Sequence, residues 1–150
     1  FTYDRYFGQA DYTADWGRQR VLLSAMGGQI TGAAPLFERF TLGDSRTLRG
    51  WNKLDISPVG ADRMWATSVA YRYRGLTTFF DAGSGWDKGL EKRVRTSAGF
   101  GFTWDSTFAL VGFPLNTNDF RVVFMAGFRF GQPPSGVKKY QWEHGPAGSR

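Results

Sequence analysis

The chain reads as all-β: antiparallel transmembrane β-barrel strands, about six to seven of them, and so part of a barrel, since fewer than about eight do not close one. Three observations predict this. Between residues 93 and 105, Val94, Thr96, Ala98, Phe100, Phe102 and Trp104 alternate with Arg93, Arg95, Ser97, Gly99, Gly101, Thr103 and Asp105. No dry core accepts the second face; a wet lumen does, and there Ser97 is expected to tolerate a charge. Aromatic residues make up 17% of the chain and 20 residues are Gly, a mixture suited to strands, tight turns and interfacial rings. Long polar connections also alternate with short turns, as in barrels whose long loops face outside and whose short turns face the periplasm.

Residues 1–17 carry Tyr3, Tyr6, Phe7, Tyr12 and Trp16 and are expected to hold part of a strand entering a turn at Asp15-Trp16-Gly17. A strand this close to Phe1 implies neighbouring strands, and any export signal, upstream. Residues 18–30 form the next strand, with Val21, Leu23 and Ala25 opposed to Arg20, Leu22 and Ser24. Residues 61–74 alternate more clearly: Trp65, Thr67, Val69, Tyr71 and Tyr73 against Met64, Ala66, Ser68, Ala70, Arg72 and Arg74. A turn at Arg74-Gly75 leads into residues 76–83, with Leu76, Thr78, Phe80 and Ala82 outward and Thr77, Phe79, Asp81 and Gly83 inward. Residues 84–92 read as a polar loop before the strand at 93–105, and Asp105-Ser106 turns the chain into a short segment ending at Pro114. The last strand, 120–131, sets Phe120, Val122, Phe124, Ala126, Phe128 and Phe130 against Arg121, Val123, Met125, Gly127 and Arg129, and ends on the periplasmic side. Residues 1–131 thus form the barrel part, and 132–150, rich in Pro, Gly and charge, a disordered tail.

The longest gap between strands contains residues 40–52, which have neither the polarity of a free loop nor the period of a strand or helix. Leu42, Leu48 and Trp51 are groups a solvated loop has little reason to carry, so the segment is expected to be pinned to something. Leu48-Arg49-Gly50-Trp51, preceded by Phe40-x-x-Gly43, resembles the hydrophobic-Arg-Gly-aromatic loop of the outer-membrane protein assembly-factor superfamily. BamA- and TamA-type insertases, two-partner secretion transporters and bacterial surface antigens belong to that superfamily. A second pattern of the same group, Phe-x-Asp-x-Gly, is similar to Phe79, Asp81 and Gly83. The resemblance covers about residues 18–131 and implies that the loop folds into the barrel lumen, where Arg49 meets Asp81. It further implies that Gly127 and Phe130 form the strand-end pattern read by the assembly machinery. One departure is Ala70, near which many relatives carry a Glu.

The function so implied is insertion or translocation of proteins at the bacterial outer membrane. Its partners would be outer-membrane lipid, unfolded outer-membrane or secreted proteins, missing N-terminal barrel strands and periplasmic domains. Composition narrows the rest. The chain has no run of 18 apolar residues, so a membrane helix is excluded, while a mean hydropathy of -0.38 is compatible with strands that are polar on one face. The net charge of +6 suits anionic partners, yet the cations are scattered and nucleic acid is not expected. Cys is absent and His144 is the single His, so neither a His-based triad nor a Cys or multi-His metal site can be built; no enzyme activity, metal or cofactor is expected. Gly99-x-Gly101 lies within a strand and cannot cradle phosphate, and the scattered Asp residues lack ligand spacing. Two alternatives remain open. One is a soluble antiparallel sandwich or barrel that binds a ligand, with Phe100, Phe102, Phe124 and Phe128 as its core; the other is a barrel that anchors a phospholipase-type enzyme.

Overall fold

The structure, a computed structural model, describes residues 2–128 and 143–144. Seven long strands follow one another along the chain: β1 (Tyr3–Trp16), β2 (Gln19–Gly32), β3 (Arg63–Tyr73), β4 (Leu76–Trp86), β5 (Arg95–Trp104), β6 (Thr107–Pro114) and β7 (Val123–Phe128). A two-residue strand, β8 (Glu143–His144), completes a single sheet of order β7-β6-β5-β4-β3-β2-β1-β8. Every pair is antiparallel, and sequence neighbours are sheet neighbours throughout β1 to β7. Such hairpin-by-hairpin topology is what short turns dictate; at Arg74 and Gly75 both residues take positive φ, 47° and 91°, the geometry that matches strand twist.

Because side chains alternate, the register decides which residues share a face. Asp81 lies opposite Ser68 of β3 and Ser97 of β5, and Phe79 opposite Ala70 and Gly99, so all of these point inward. The outward set keeps its apolar groups exposed: Leu23, Val69, Phe80, Phe100, Phe102, Phe124 and Phe128. Near the short-turn end, Trp16, Tyr73 and Trp104 stand on this face, the place of an interfacial aromatic belt. Among the described residues no second sheet covers these aromatics, which is the opposite of what a soluble sandwich requires.

Two strands depart from the sequence expectation. β4 continues to Trp86, where residues from 84 onward read as loop, because Ser84, Gly85 and Trp86 pair with Trp65, Met64 and Arg63 and lengthen the hairpin. β7 begins at Val123 rather than residue 120, since its ladder with β6 stops as it nears Pro114, which has no N–H to donate. The expected end of that strand at 131, and Phe130 with it, lie outside the described residues. So does most of the expected tail, of which Glu143 and His144 pair with Phe7 and Tyr6 of β1.

The long connection from β2 to β3 is not an open loop. It contains a 3-10 turn at Leu36–Glu38, a bridge between Phe40 and Ala61 and one helical turn, α1 (Lys53–Ile56). Its apolar residues Phe40, Leu42, Leu48 and Trp51 form the larger core cluster together with Ile30, Met64 and Ala66. The chief buried core of this protein is therefore a loop packed into the concave side of a sheet. This overturns the expected wet surroundings of Ser97, which is fully buried beneath the loop. Ala70 takes part in a second cluster with Phe79, Phe108 and Leu110, so its surroundings are apolar.

Two substitutions separate the two faces. Phe100→Arg is expected to cost about 2–4 kcal/mol of stability in a folding titration into lipid vesicles, as a charge placed against hydrocarbon does. Gln9→Arg, on the half-buried inner face beside Asp11, is expected to stay within about 1 kcal/mol, and equal costs would contradict the assignment of faces.

Candidate functional site

The loop enters the concave face through a tight turn. Thr47 Oγ1 accepts from the N–H of Gly43 (3.0 Å) and donates to Asp44 Oδ1 (2.9 Å), which also accepts from the N–H groups of Arg46 and Thr47 (2.9 Å each). These side-chain bonds replace a backbone ladder and aim the next four residues at the sheet. Leu48 is fully buried, and its carbonyl accepts from the N–H of Trp51 at 3.2 Å. On the far side Trp51 Nε1 donates to the carbonyl of Thr96 in β5 at 2.9 Å.

Arg49 lies between these anchors. Its Nε donates to Asp81 Oδ2 at 2.9 Å and its Nη2 to Asp81 Oδ1 at 2.7 Å, a bidentate fork, while its own backbone N–H donates to Oδ2 at 3.0 Å. Nη2 also donates to Ser68 Oγ at 2.6 Å, and the guanidinium carbon sits 3.8 Å from the centre of the Phe79 ring. The Asp81 carboxylate is fully buried and accepts three N–H bonds; Arg49 is 7% exposed. At an effective dielectric near 20, raw attraction at such separations is about 4 kcal/mol, and after desolvation the net is about 1–3 kcal/mol for a forked, fully hydrogen-bonded pair. Stacking on Phe79 adds about 0.5–2 kcal/mol.

Close approach is the second requirement. Gly50 has φ of 101°, and a Cβ there would come within 3.0 Å of the Phe113 nitrogen and of Ser97 Cβ. The facing residue in β6 is Gly112, where a Cβ would lie 2.8 Å from the Gly50 nitrogen. Two glycines thus let loop backbone touch sheet backbone, with a hydrogen at each position where any other residue carries carbon.

The sequence-derived residues divide as follows. Leu48, Arg49, Gly50 and Trp51 come together with Phe79 and Asp81 at one site. Gly83, on the same face of β4, serves backbone proximity, its absent Cβ leaving room for the Trp65 carbonyl and for Ala66. Gly127 lies against the Phe108 ring on the inner side of β7, away from the loop contacts. Sequence reasoning missed Ser68, Thr96 and Gly112. Strand alternation already put Ser68 on the inner face, opposite Asp81 once the hairpin register is known; Thr96 contributes only a carbonyl, and nothing in the sequence marks Gly112 as a contact.

The base of the loop has its own ion cluster. Arg39 Nη2 reaches Asp87, just past β4, and lies 3.2 Å from Asp62 Oδ1, while the Asp62 N–H donates to Asp87 at 3.1 Å. Partial burial pushes the Asp87 carboxyl upward, but the hydrogen bonds from Arg39 and from the Asp62 backbone outweigh it and leave its pKa lowered. The Asp87 hydrogen bond is the main cause of the raised pKa of Arg39. No group of three or more His, Cys, Asp and Glu residues able to hold a metal occurs among the described residues. What the site does chemically is fasten: it holds a long loop against four neighbouring strands, β3 to β6.

Comparison with known proteins fits this geometry. A family profile described as the Omp85 superfamily domain matches residues 1–130. The outer membrane protein assembly factor BamA of Nitratidesulfovibrio vulgaris (strain Hildenborough) is 33% identical over 109 aligned positions, covering 57% of this chain. The chain spans 14% of the length of that relative.

If Arg49 fastens the loop, Arg49→Ala and Asp81→Ala should each raise protease cleavage within residues 40–52, because each leaves a buried charge unpaired. The double change should cost less than the sum, with a coupling of about 1 kcal/mol or more; additive effects would mean that the two groups act independently. Arg49→Lys, which keeps the charge and loses the fork, should fall between wild type and Arg49→Ala. For the loop base, a lowered Asp87 pKa means that stability is present above the ordinary carboxylate pKa, about 3.9, and is lost as pH falls below it. A spin label at Phe37→Cys should therefore stay equally restrained from about pH 8 to pH 5 and loosen only in stronger acid. Asp87→Asn should loosen it already at neutral pH.

Proposed function

Since the chain belongs to the Omp85 superfamily of the bacterial outer membrane, we propose that residues 1–131 are the C-terminal part of a barrel that inserts or translocates proteins there, with the Arg49 loop as an internal brace. The observation that carries this reading is the loop docked on the concave face through Arg49 and Asp81, both buried and satisfied by three N–H bonds. A passive anchor has no need of such an investment in a lumenal loop.

The brace acts on shape. From one short segment, contacts reach Ser68 in β3, Asp81 in β4, Thr96 and Ser97 in β5 and Gly112 in β6, so the curvature of these strands is set together. A barrel that admits a client must deform, and strands tied in this way move as one body, leaving the deformation to other parts of the wall. Among the described residues β7 pairs with β6 alone, while its Met125 also packs against the cluster of Ala70, Phe79, Phe108 and Leu110. The clients would be unfolded outer-membrane or secreted proteins, and the upstream strands and periplasmic domains would deliver them.

The test is reconstitution of the intact protein in liposomes with an unfolded β-barrel client, reading the fraction of client that becomes folded and protease-protected. Insertion should be faster than in protein-free liposomes, and Arg49→Ala should remove at least half of that acceleration while the barrel itself stays folded. Absence of acceleration by the wild-type protein would defeat the proposal.

A further inference from the structure

On the outward face, at the long-loop end of β3 and β4, a cation is held between two indoles. Lys92 Nζ lies 5.3 Å from the ring centre of Trp65 and 4.8 Å from that of Trp86. Register explains the pair: Trp65 faces Ser84 and Trp86 faces Arg63, so Arg63, Trp65, Ser84 and Trp86 share the outer side. Ser84, fully buried, fixes the loop against it by donating its hydroxyl to the Arg93 carbonyl at 2.8 Å. That bond ties the end of the loop to β4, where Lys92, although exposed, lies over the two rings. The result is a defined position for an ammonium group between two indole rings.

The charges around it are unbalanced. Asp62 and Asp87, the carboxylates at the ends of these strands, are both engaged by Arg39. Among the described residues Arg63, Lys92 and Arg93 form no ion pair, while Lys92 and Arg93 are exposed and Arg63 half-buried. In a barrel whose long loops face outside, this rim meets the headgroup layer of the outer leaflet. Indole rings favour that layer, and cations there attract lipid phosphates.

We propose that Arg63 and Lys92, on the platform of Trp65 and Trp86, form a binding site for the phosphate groups of an outer-leaflet lipid headgroup. The proposal rests on the membrane-spanning reading of the sheet. Its physical basis is charge complementarity at a defined depth: Trp65 and Trp86 set the interface level, and Arg63 and Lys92 lie at that level with no acidic partner among the described residues. A phosphate there exchanges its counterions for fixed ammonium and guanidinium groups, whereas the Arg49 site, with its carboxylate already bound, has nothing to offer an anion.

The test uses the intact protein, delipidated in detergent and titrated with bisphosphorylated lipid A, with bound lipid read by native mass spectrometry. Wild type should retain this lipid at least about tenfold better than fully dephosphorylated lipid A, as two or more phosphate contacts imply. Lys92→Gln and Arg63→Gln should each weaken retention roughly fivefold, and Lys92→Arg should restore it. Equal retention of the two lipids, no change in the double variant, or full displacement by inorganic phosphate at concentrations comparable with the lipid would overturn the proposal. Folding into bilayers, read by heat-dependent gel mobility, keeps the two ideas apart. A protein that fails to insert defeats the membrane reading as well, whereas an inserted barrel indifferent to phosphate defeats this site alone.

Discussion

A guanidinium and a carboxylate buried together under a loop form the constraint on which the rest of this structure depends. Neither group tolerates burial alone, and the cost of stranding either is several kcal/mol. Asp81 is completely enclosed and receives the Arg49 backbone N–H as well as the side-chain fork, so loop backbone and loop side chain are fixed by the same two oxygens. Ser68 takes a further guanidinium hydrogen and Phe79 covers its face. Water is kept out on either side by Leu48 and Trp51. The apolar residues of the loop and its single buried cation are therefore one device: each makes the other's burial affordable.

That device imposes geometry on strands it does not belong to. For Arg49 to reach Asp81, the loop must lie on the sheet at backbone contact, which removes side chains from Gly50 and Gly112. Phe79 can lie flat beneath the guanidinium because position 99, opposite it in β5, is also Gly, where a Cβ would meet the ring at 2.4 Å. Glycine is a poor strand residue in isolation. Here its weakness in the strand is offset by the close approach it allows.

How much of this was legible in the sequence follows from which signals are local. Strand alternation is local, and it alone puts Phe79, Asp81 and Gly83 on one face and Phe80 and Phe100 on the other. The loop motif pointed to Arg49 and Asp81 as partners because the resemblance to a family supplied a pairing that spacing alone does not encode. Ser97 was misjudged because its environment is set by residues 40–52, not by its neighbours in the strand: alternation reports which face a residue is on, but not whether that face is filled with water or with loop. The same limit hid Gly112 and the Thr96 carbonyl, whose roles exist only once the loop has docked. The end of β4 was missed for a different reason: Ser84-Gly85 has turn composition, yet β3 is long enough to pair with it.

The excess of positive charge also acquires a location. A net charge of +6 spread over strands and loops gives no cluster in the sequence. In the fold, cations meet different fates according to the medium they face. Arg49 and Arg39 have carboxylate partners, as burial demands. Arg63 and Lys92 stand at the rim of the outward face with none among the described residues, where headgroups and water screen them and no desolvation forces a pairing. A carboxylate partner for Lys92 would have cancelled the attraction to lipid at the level where Trp65 and Trp86 sit. That no carboxylate among the described residues pairs with Lys92 is thus consistent with a role toward the membrane, just as the full satisfaction of Asp81 is consistent with a role in holding the barrel's shape.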